Sequence, residues 1–190
     1  MDGILTAGGL VLTVFLAIAG SLLLWGYHFA NNSVHDQLAR EQIFVPALGS
    51  KALASPEIGP YLNQYAGQQV VNGAQAEAYA NHFIAVHLKE IGGGQTYAQL
   101  SAKAQADPTN TKLAGTVQTV FRGETLRGLL LNAYAFWQFG QIALWAAIAS
   151  FIGAAAMLVL TILGFLHLRK TTADEEFVVP EHMPKSLVGA

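Results

Sequence analysis

Two long runs without a charged side chain constrain this sequence more than any other feature. The first, ILTAGGLVLTVFLAIAGSLLLW, covers residues 4–25, and the second, LWAAIASFIGAAAMLVLTILGFLHL, covers residues 144–168. Each run is long enough to cross the hydrocarbon core of a bilayer as a helix, which takes about 20 apolar residues. We therefore predict an all-α membrane protein with two transmembrane helices, at 4–25 and 141–168, that form a helical hairpin.

The composition agrees with a membrane protein. Charged residues make up 12% of the 190 residues and hydrophobic residues 53%, whereas soluble domains average about 25% charged residues. The net charge is −2 and no block of basic residues occurs, so we expect no nucleic-acid partner. The absence of cysteine excludes disulfides, thiolate zinc sites and cysteine nucleophiles.

A cleaved signal peptide is the alternative interpretation of the first run. Ala17-Ile18-Ala19 resembles a signal-peptidase site. However, the residues before the run, Met-Asp-Gly, contain no Lys or Arg, and the apolar run continues past this site to Trp25. These features favour an uncleaved membrane anchor.

Basic residues at the end of the second run predict the orientation. Arg169 and Lys170 follow it directly, and an excess of Lys and Arg marks the cytoplasmic side. We expect a plasma-membrane protein with both termini in the cytoplasm, an extracytoplasmic helical module at residues 26–140 and a disordered cytoplasmic tail at 169–190. Aromatic residues at the ends of both runs are expected at the outer interface: Trp25, Tyr27, Phe29, Tyr134, Phe136, Trp137, Phe139 and Trp145.

The first half of the predicted module contains helix-breaking residues. Ser33 and Asp36 have the spacing of a helix-capping signature, which predicts the start of a short polar helix. Three prolines in the segment 43–60 predict an extended connector. The turn pair Asn72-Gly73 is expected to close a short helix over the residues before it.

The second half of the predicted module has the sequence pattern of a series of helices. Residues 74–91 form a helical pattern that Gly92–Gly94 should end. Thr96 and Gln99 match a capping box that starts the next helix. From Thr109 the helical pattern is expected to continue into the second apolar run, over a length about twice a bilayer core.

Within this last helix, residues 121–140 suggest contacts with other parts of the protein. Glu124 and Arg127 are three residues apart and should pair on the helix surface. Gly123 and Gly128 each lower helix stability by up to about 1 kcal/mol. Close approach of another segment is the expected reason for both glycines.

His82 and His87 are the residues that most resemble a chemical site. They are five residues apart, so a regular helix separates them by about 140°. Zinc-binding histidine pairs use a spacing of four to share a helix face. We therefore predict that both are structural. A metal-binding or catalytic module that uses His82, His87 and Glu90 remains an alternative.

The candidate contact residues are aromatic and small side chains near and within the second run. They are Tyr134, Phe136, Trp137, Phe139, Ala149, Gly153 and Ala154. The aromatic residues are expected to dock another membrane protein, to pack on the protein's own helices or to anchor in the lipid interface. The small residues allow close helix contact, either with a partner or between the two predicted spans. Neither span contains Asp, Glu, Lys or Arg, which disfavours a pump or transporter.

Several segments together resemble a family of small two-span membrane proteins from actinobacteria. They are EQIFVP, GPYLNQYA, HLKEIGGGQTYAQL and LRGLLLNAYAFWQFG, and the resemblance covers about residues 4–170. It implies the two-span topology. Members of that family often carry the label of an aromatic-ring-opening dioxygenase subunit. Such chemistry needs iron, commonly on two histidines and one carboxylate, and we find no convincing set of this kind in the sequence.

These features predict a non-enzymatic accessory or scaffold subunit of a cell-envelope membrane complex. The expected partners are membrane lipid and either another integral membrane protein or a second copy of this chain. No cofactor and no metal are expected. The alternatives are a membrane protein that binds a lipid or small ligand and a metal-dependent enzyme subunit.

Overall fold

The computed structural model describes the backbone of residues 2–175 and the side chains of residues 6–170. Within residues 2–175 all regular structure is helical, and the single β-bridge joins Phe44 and Gln69. The predicted all-α class is therefore confirmed for this part of the chain. The α-helices are α1 (Asp2–Glu41), α2 (Gly59–Leu62), α3 (Gly73–Ala78), α4 (Ala85–Ile91), α5 (Tyr97–Ala106) and α6 (Thr111–Glu175).

The two longest helices carry the two apolar runs. Helix α1 has 40 residues and α6 has 65. Both are long and apolar enough to cross a membrane, and only 11% of the most apolar stretch of each is buried. A core helix of a soluble domain is instead apolar all round and enclosed by other elements. The predicted continuation of the last helix into the second run is confirmed.

The chain divides into two compact units, residues 24–144 and residues 1–23 with 145–190. We call the second the hairpin unit, since it contains the apolar segments of α1 and α6. Glycines lie where these segments meet, and side chains of the opposite segment approach them closely. The glycines and the residues opposite them are Gly9 with Thr161, Gly20 with Phe151, Gly153 with Leu16 and Gly164 with Thr6.

Residues 24–144 form the central unit, which has its own hydrophobic core. Leu62 and Val70 are completely buried in it, and Val45 is nearly so. The core side chains come from α1, the loops after it, the helical segment 73–91 and α6. Helices α2, α3 and α4 therefore hold together because each places one or two apolar residues in a shared core.

The segment before α3 is fixed by a buried amide. Gln75 is 4% exposed, its Oε1 accepts a hydrogen bond from the Val71 backbone N–H at 2.9 Å, and its Nε2 donates to Gln68 Oε1 at 3.1 Å. Asn72 caps α3 by accepting from the Gln75 backbone N–H at 2.9 Å. These hydrogen bonds provide the partners that a buried amide such as that of Gln75 needs. Asn72 is the N-cap of α3 and therefore stands at the start of a helix. The prediction that Asn72-Gly73 closes a helix was wrong.

Residues 73–91 form one continuous helix with an irregular centre. It is α-helical in α3 and α4 and π-helical over Tyr79–Ile84. A π-helix bonds residue i to i+5 rather than i+4, so it widens the helix and rotates the side chains that follow; such segments are frequent at functional sites. The 140° estimate for His82 and His87 assumes a regular α-helix and does not apply across this segment.

The predicted helix ends around Gly92–Gly94 are confirmed. Gly93 and Gly94 have φ angles of 59° and 76°, a left-handed conformation that glycine adopts without a steric cost. Thr96 and Gln99 then form the capping box: the Gln99 backbone N–H donates to Thr96 Oγ1 at 3.3 Å, and the Thr96 N–H donates to Gln99 Oε1 at 2.9 Å.

Other local predictions differ from the structure. Helix α1 continues to Glu41 without a break, so Ser33 lies inside it and accepts a hydrogen bond from Gln37 Nε2 at 2.9 Å. The predicted connector is not extended throughout, because it contains a 3₁₀ turn and α2. Pro60 is compatible with α2 because it lies in the first turn of the helix, where proline needs no N–H partner. Helix α6 extends to Glu175, beyond the predicted end at 168. Residues 176–190 of the predicted tail lie outside the described part.

Candidate partner-contact surface

The predicted aromatic residues on α6 fall on two sides of the helix. Trp137 packs against the core of the central unit and the half-buried Tyr134 stacks with it, whereas Phe136 and Phe139 are exposed. Residues three apart lie on the same helix face, and residues two apart point in nearly opposite directions. The periodicity of the helix thus divides one aromatic cluster into two pairs with different surroundings.

Trp137 belongs to the fold of the central unit. A Cβ on Gly73, the first residue of α3, would lie 2.5 Å from Trp137 Cβ and Cγ, so the indole occupies the space beside this glycine. The Tyr134 ring stacks near Trp137 at 6.2 Å, and its hydroxyl accepts a hydrogen bond from Gln138 Nε2 at 2.9 Å. Trp137 therefore attaches α6 to the start of α3.

Phe136 and Phe139 belong to an apolar surface. Phe136 contacts the Phe29 ring edge-to-face at 6.3 Å, and Phe29 stacks on Trp25 at 5.6 Å. Trp25 and Phe139 are 66% and 69% exposed. We call these four residues the exposed aromatic surface. The sequence predicted Trp25 and Phe29 as interface aromatics, but the contact of Phe29 with Phe136 depends on the pairing of α1 with α6.

The predicted small residues lie in the hairpin unit and differ in their surroundings. Gly153 faces Leu16, whose Cδ1 would lie 3.4 Å from an added Cβ, and Ala154 is buried. Gly153 therefore contributes to contact between the two apolar segments of this chain. Ala149 is exposed, so it is the member of this set that remains open to a partner or to lipid.

His82 and His87 lie in different environments. His82 stacks on the Tyr61 ring, with 3.4 Å between ring centroids and 3° between planes. His87 Nδ1 donates a hydrogen bond to the Phe83 carbonyl oxygen at 2.7 Å. Each ring therefore has a structural contact. Among the described residues no group of three or more His, Asp or Glu side chains is placed to hold a metal ion.

Tyr79, Phe83 and His87 form a column of rings along the helix. The Tyr79 and Phe83 centroids are 4.8 Å apart, and those of Phe83 and His87 are 4.5 Å apart. Burial raises the pKa of the Tyr79 hydroxyl above its usual range, because the phenolate would lose hydration. The hydroxyl is therefore neutral at physiological pH, and Tyr79 contributes packing rather than charge.

A polar network connects the π-helical segment to α6. Asn81 Nδ2 donates to Glu77 Oε1 at 2.8 Å, and its Oδ1 accepts from Arg127 Nη2 at 3.2 Å. Arg127 Nη1 also donates to Glu124 Oε2 at 3.3 Å, which confirms the predicted pair. The link from Arg127 to Asn81 spans 46 residues and has no sequence signal.

The two glycines of α6 that were predicted to allow close contact differ. Gly123 faces the buried side chain of Leu88, which leaves no room for a Cβ. Gly128 has no atom within 4 Å of an added Cβ, so the prediction was wrong for this position. Leu88 reaches Gly123 because α4 packs against α6 there, whereas no segment of the described part of the chain covers Gly128.

The glycine turn after α4 borders a small cavity of about 230 Å³ lined by Lys89, Gln95, Glu124 and Arg127. Among the described residues, no histidine lines this cavity or the second one beside Gly93 and Gly94. Ser33, His35 and Asp36 are the residue types of a catalytic triad but are not arranged as one: His35 Nδ1 lies 3.3 Å from Asp36 Oδ1, while the Ser33 hydroxyl accepts a hydrogen bond from Gln37.

A larger groove lies between α1 and α6 in the central unit. Its volume is about 420 Å³, within the range of roughly 300–1,000 Å³ typical of small-molecule sites. Val34, Leu38 and Leu130 are buried beneath it, and Ser33, Gln37 and Glu41 form a polar side. The groove could therefore accommodate an amphipathic molecule.

No protein-family model, curated protein or solved structure matches this chain. The resemblance to actinobacterial two-span proteins stays a prediction. Residues 2–175 form an all-α fold with two helices that are long and apolar enough to cross a membrane.

Proposed function

We propose that this chain is an integral protein of the plasma membrane that acts as a non-enzymatic accessory or scaffold subunit of a cell-envelope membrane complex. The hairpin unit crosses the bilayer, both termini are cytoplasmic, and residues 26–140 form an extracytoplasmic helical module. The observation that supports the scaffold role is the exposed aromatic surface of Trp25, Phe29, Phe136 and Phe139.

Aromatic side chains are well suited to such a contact. Each can bury about 150–250 Å², and aromatic residues are enriched among the few that dominate binding energy at protein interfaces. Phe29 already contacts both Trp25 and Phe136, so little side-chain freedom is lost when a partner covers them. The partner is another integral membrane protein or a second copy of this chain.

Replacement of Phe136 and Phe139 by alanine should release the partner. We expect the double variant to lower the amount of partner that co-purifies in mild detergent by about 30-fold or more, since loss of a binding hot spot costs at least about 2 kcal/mol. The measurement is quantitative mass spectrometry of complexes isolated through a tag on the chain, expressed at its native level.

The matched control is Phe44→Ala, which removes another exposed phenylalanine of the central unit, 57% exposed. It should leave the amount of partner unchanged. A wild-type chain that emerges alone and monomeric contradicts the scaffold role, and so does a partner that the double variant retains in full.

A second candidate, binding of a lipid or small ligand, is favoured by the groove between α1 and α6 in the central unit. The same isolation distinguishes the two functions. A ligand-binding protein would carry a stoichiometric small molecule and no protein partner.

A further inference from the structure

An apolar groove lies on the hairpin unit between the beginning of α1 and the last part of the second apolar run. Its volume is about 520 Å³. It is lined almost entirely by apolar side chains, among them Ala7, Leu10, Leu158, Ile162, Phe165 and Leu166. In a protein that crosses a membrane, such a groove is filled by hydrocarbon, because water gains no hydrogen bonds there.

A cation is positioned at one end of this groove. The Arg169 guanidinium carbon lies 5.2 Å from the centroid of the Phe165 ring, and Phe165 lines the groove. A guanidinium held over a ring by a cation–π contact keeps the N–H donors at its edge available to an anion. Lys170 follows directly. The apolar segments 6–23 and 145–168 contain no Asp or Glu, and the acidic residues of α1 and α6 in this unit are Asp2 at the start of α1 and Asp174 and Glu175 at the end of α6.

We propose that this groove and the two cations form a binding site for one anionic phospholipid. An acyl chain lies along the groove, and Arg169 and Lys170 bind the phosphate of the head group. Arginine binds phosphate oxygens through two parallel hydrogen bonds. Basic residues beside a transmembrane apolar groove on the cytoplasmic side suit a lipid that combines a hydrocarbon chain with a negative head group.

The groove distinguishes this site from the general attraction of flanking basic residues to a membrane surface. Charge alone concentrates anionic lipids without fixing their number. A groove of defined volume fixes one chain at one position, so the site predicts a stoichiometry and a dependence on groove shape. This inference rests on the proposed membrane crossing of the hairpin unit.

The test uses the full chain purified in detergent and native mass spectrometry. Phosphatidylglycerol and phosphatidylcholine with identical acyl chains are added in turn. We expect one phosphatidylglycerol to remain bound per chain, with a preference of about 30-fold over phosphatidylcholine from two basic side chains. The preference should decrease as salt is raised, and inorganic phosphate should not displace the lipid.

Two pairs of variants test the groove. Ala7→Trp fills it and should abolish retention of phosphatidylglycerol, whereas Val11→Trp, on an exposed position of the same helix outside the groove, should retain it. On α6, Leu158→Trp likewise fills the groove, and Val159→Trp is its control at an exposed position outside the groove. This second pair replaces the first if Ala7→Trp does not fold. Arg169 is left unchanged, because basic flanks also determine membrane orientation.

Equal retention of the two lipids, displacement by inorganic phosphate, or unchanged retention in both groove-filling variants would overturn the site. Alkaline extraction of the membranes from which each protein is purified separates this failure from that of the proposed function. A chain that resists extraction but shows no lipid preference refutes only the site. A chain that is released by extraction refutes the membrane crossing.

Discussion

Leu62→Ala should destabilise the central unit by about 2–5 kcal/mol, the cost of removing a fully buried leucine side chain and leaving a cavity. Leu62 has 0% exposure and belongs to the core that joins α2 to the helical segment 73–91. In lipid nanodiscs, amide hydrogen exchange of residues 73–91 should become about 30-fold or more faster, because exchange of core amides reports the free energy of opening.

The control is Leu48→Ala, since Leu48 is 71% exposed. This substitution should change stability by less than about 0.5 kcal/mol. Similar exchange rates in the two variants would contradict a core centred on Leu62. Faster exchange in the Leu48 variant alone would show that the connector packs differently from the structure.

Gly73→Val should displace Trp137. The new Cβ would lie 2.5 Å from the Trp137 Cβ and Cγ atoms, which are close to the backbone of α6 and cannot move independently of it. We expect a loss of about 1–3 kcal/mol, the range for overpacked cores. Trp137 directly follows Phe136 in α6, so displacement of Trp137 should also shift Phe136 and weaken co-purification of the partner.

The measurement is the fluorescence of Trp137 in a chain whose other two tryptophans are replaced by phenylalanine. Emission should shift to longer wavelength as the indole becomes more exposed. Gly128→Val is the control, since an added side chain meets no atom within 4 Å there. An unshifted spectrum for Gly73→Val would contradict the contact between α3 and α6.

The sequence was sufficient to predict the long helices and several helix ends. The two apolar runs have a length and composition that hydropathy alone reports. Gly92–Gly94 and the Thr96–Gln99 capping box depend on local backbone geometry and hydrogen bonds. Predictions of this kind succeed because their physical cause lies within a few residues of the position concerned.

Features set by tertiary packing could not be predicted. The contact of Gly73 with Trp137 and the bond from Arg127 to Asn81 join distant parts of the chain. The π-helix over Tyr79–Ile84 has no composition that separates it from an α-helix. Ser33 has the spacing of a cap, yet α1 continues through it because no residue there stops the helix.

The sequence predicted which residues are candidates for the contact surface, but not which of them are exposed and which pack inside the protein. Helical spacing already separates Tyr134 and Trp137 from Phe136 and Phe139. Which pair faces the core depends on the position of Gly73 and the rest of the central unit. Among the predicted small residues, Gly153 packs against Leu16, whereas Ala149 is exposed.

Sided cysteine labelling tests the central claim most directly, namely that the hairpin unit crosses the membrane twice and the central unit lies outside. The chain has no cysteine of its own, so Ala102→Cys, at an exposed position of α5, and Ser186→Cys each carry a single thiol. In intact cells a membrane-impermeant maleimide should label the Ala102→Cys variant and should label the Ser186→Cys variant only after permeabilisation. Equal labelling of both thiols in intact cells, or recovery of the chain in the soluble fraction, would contradict this topology.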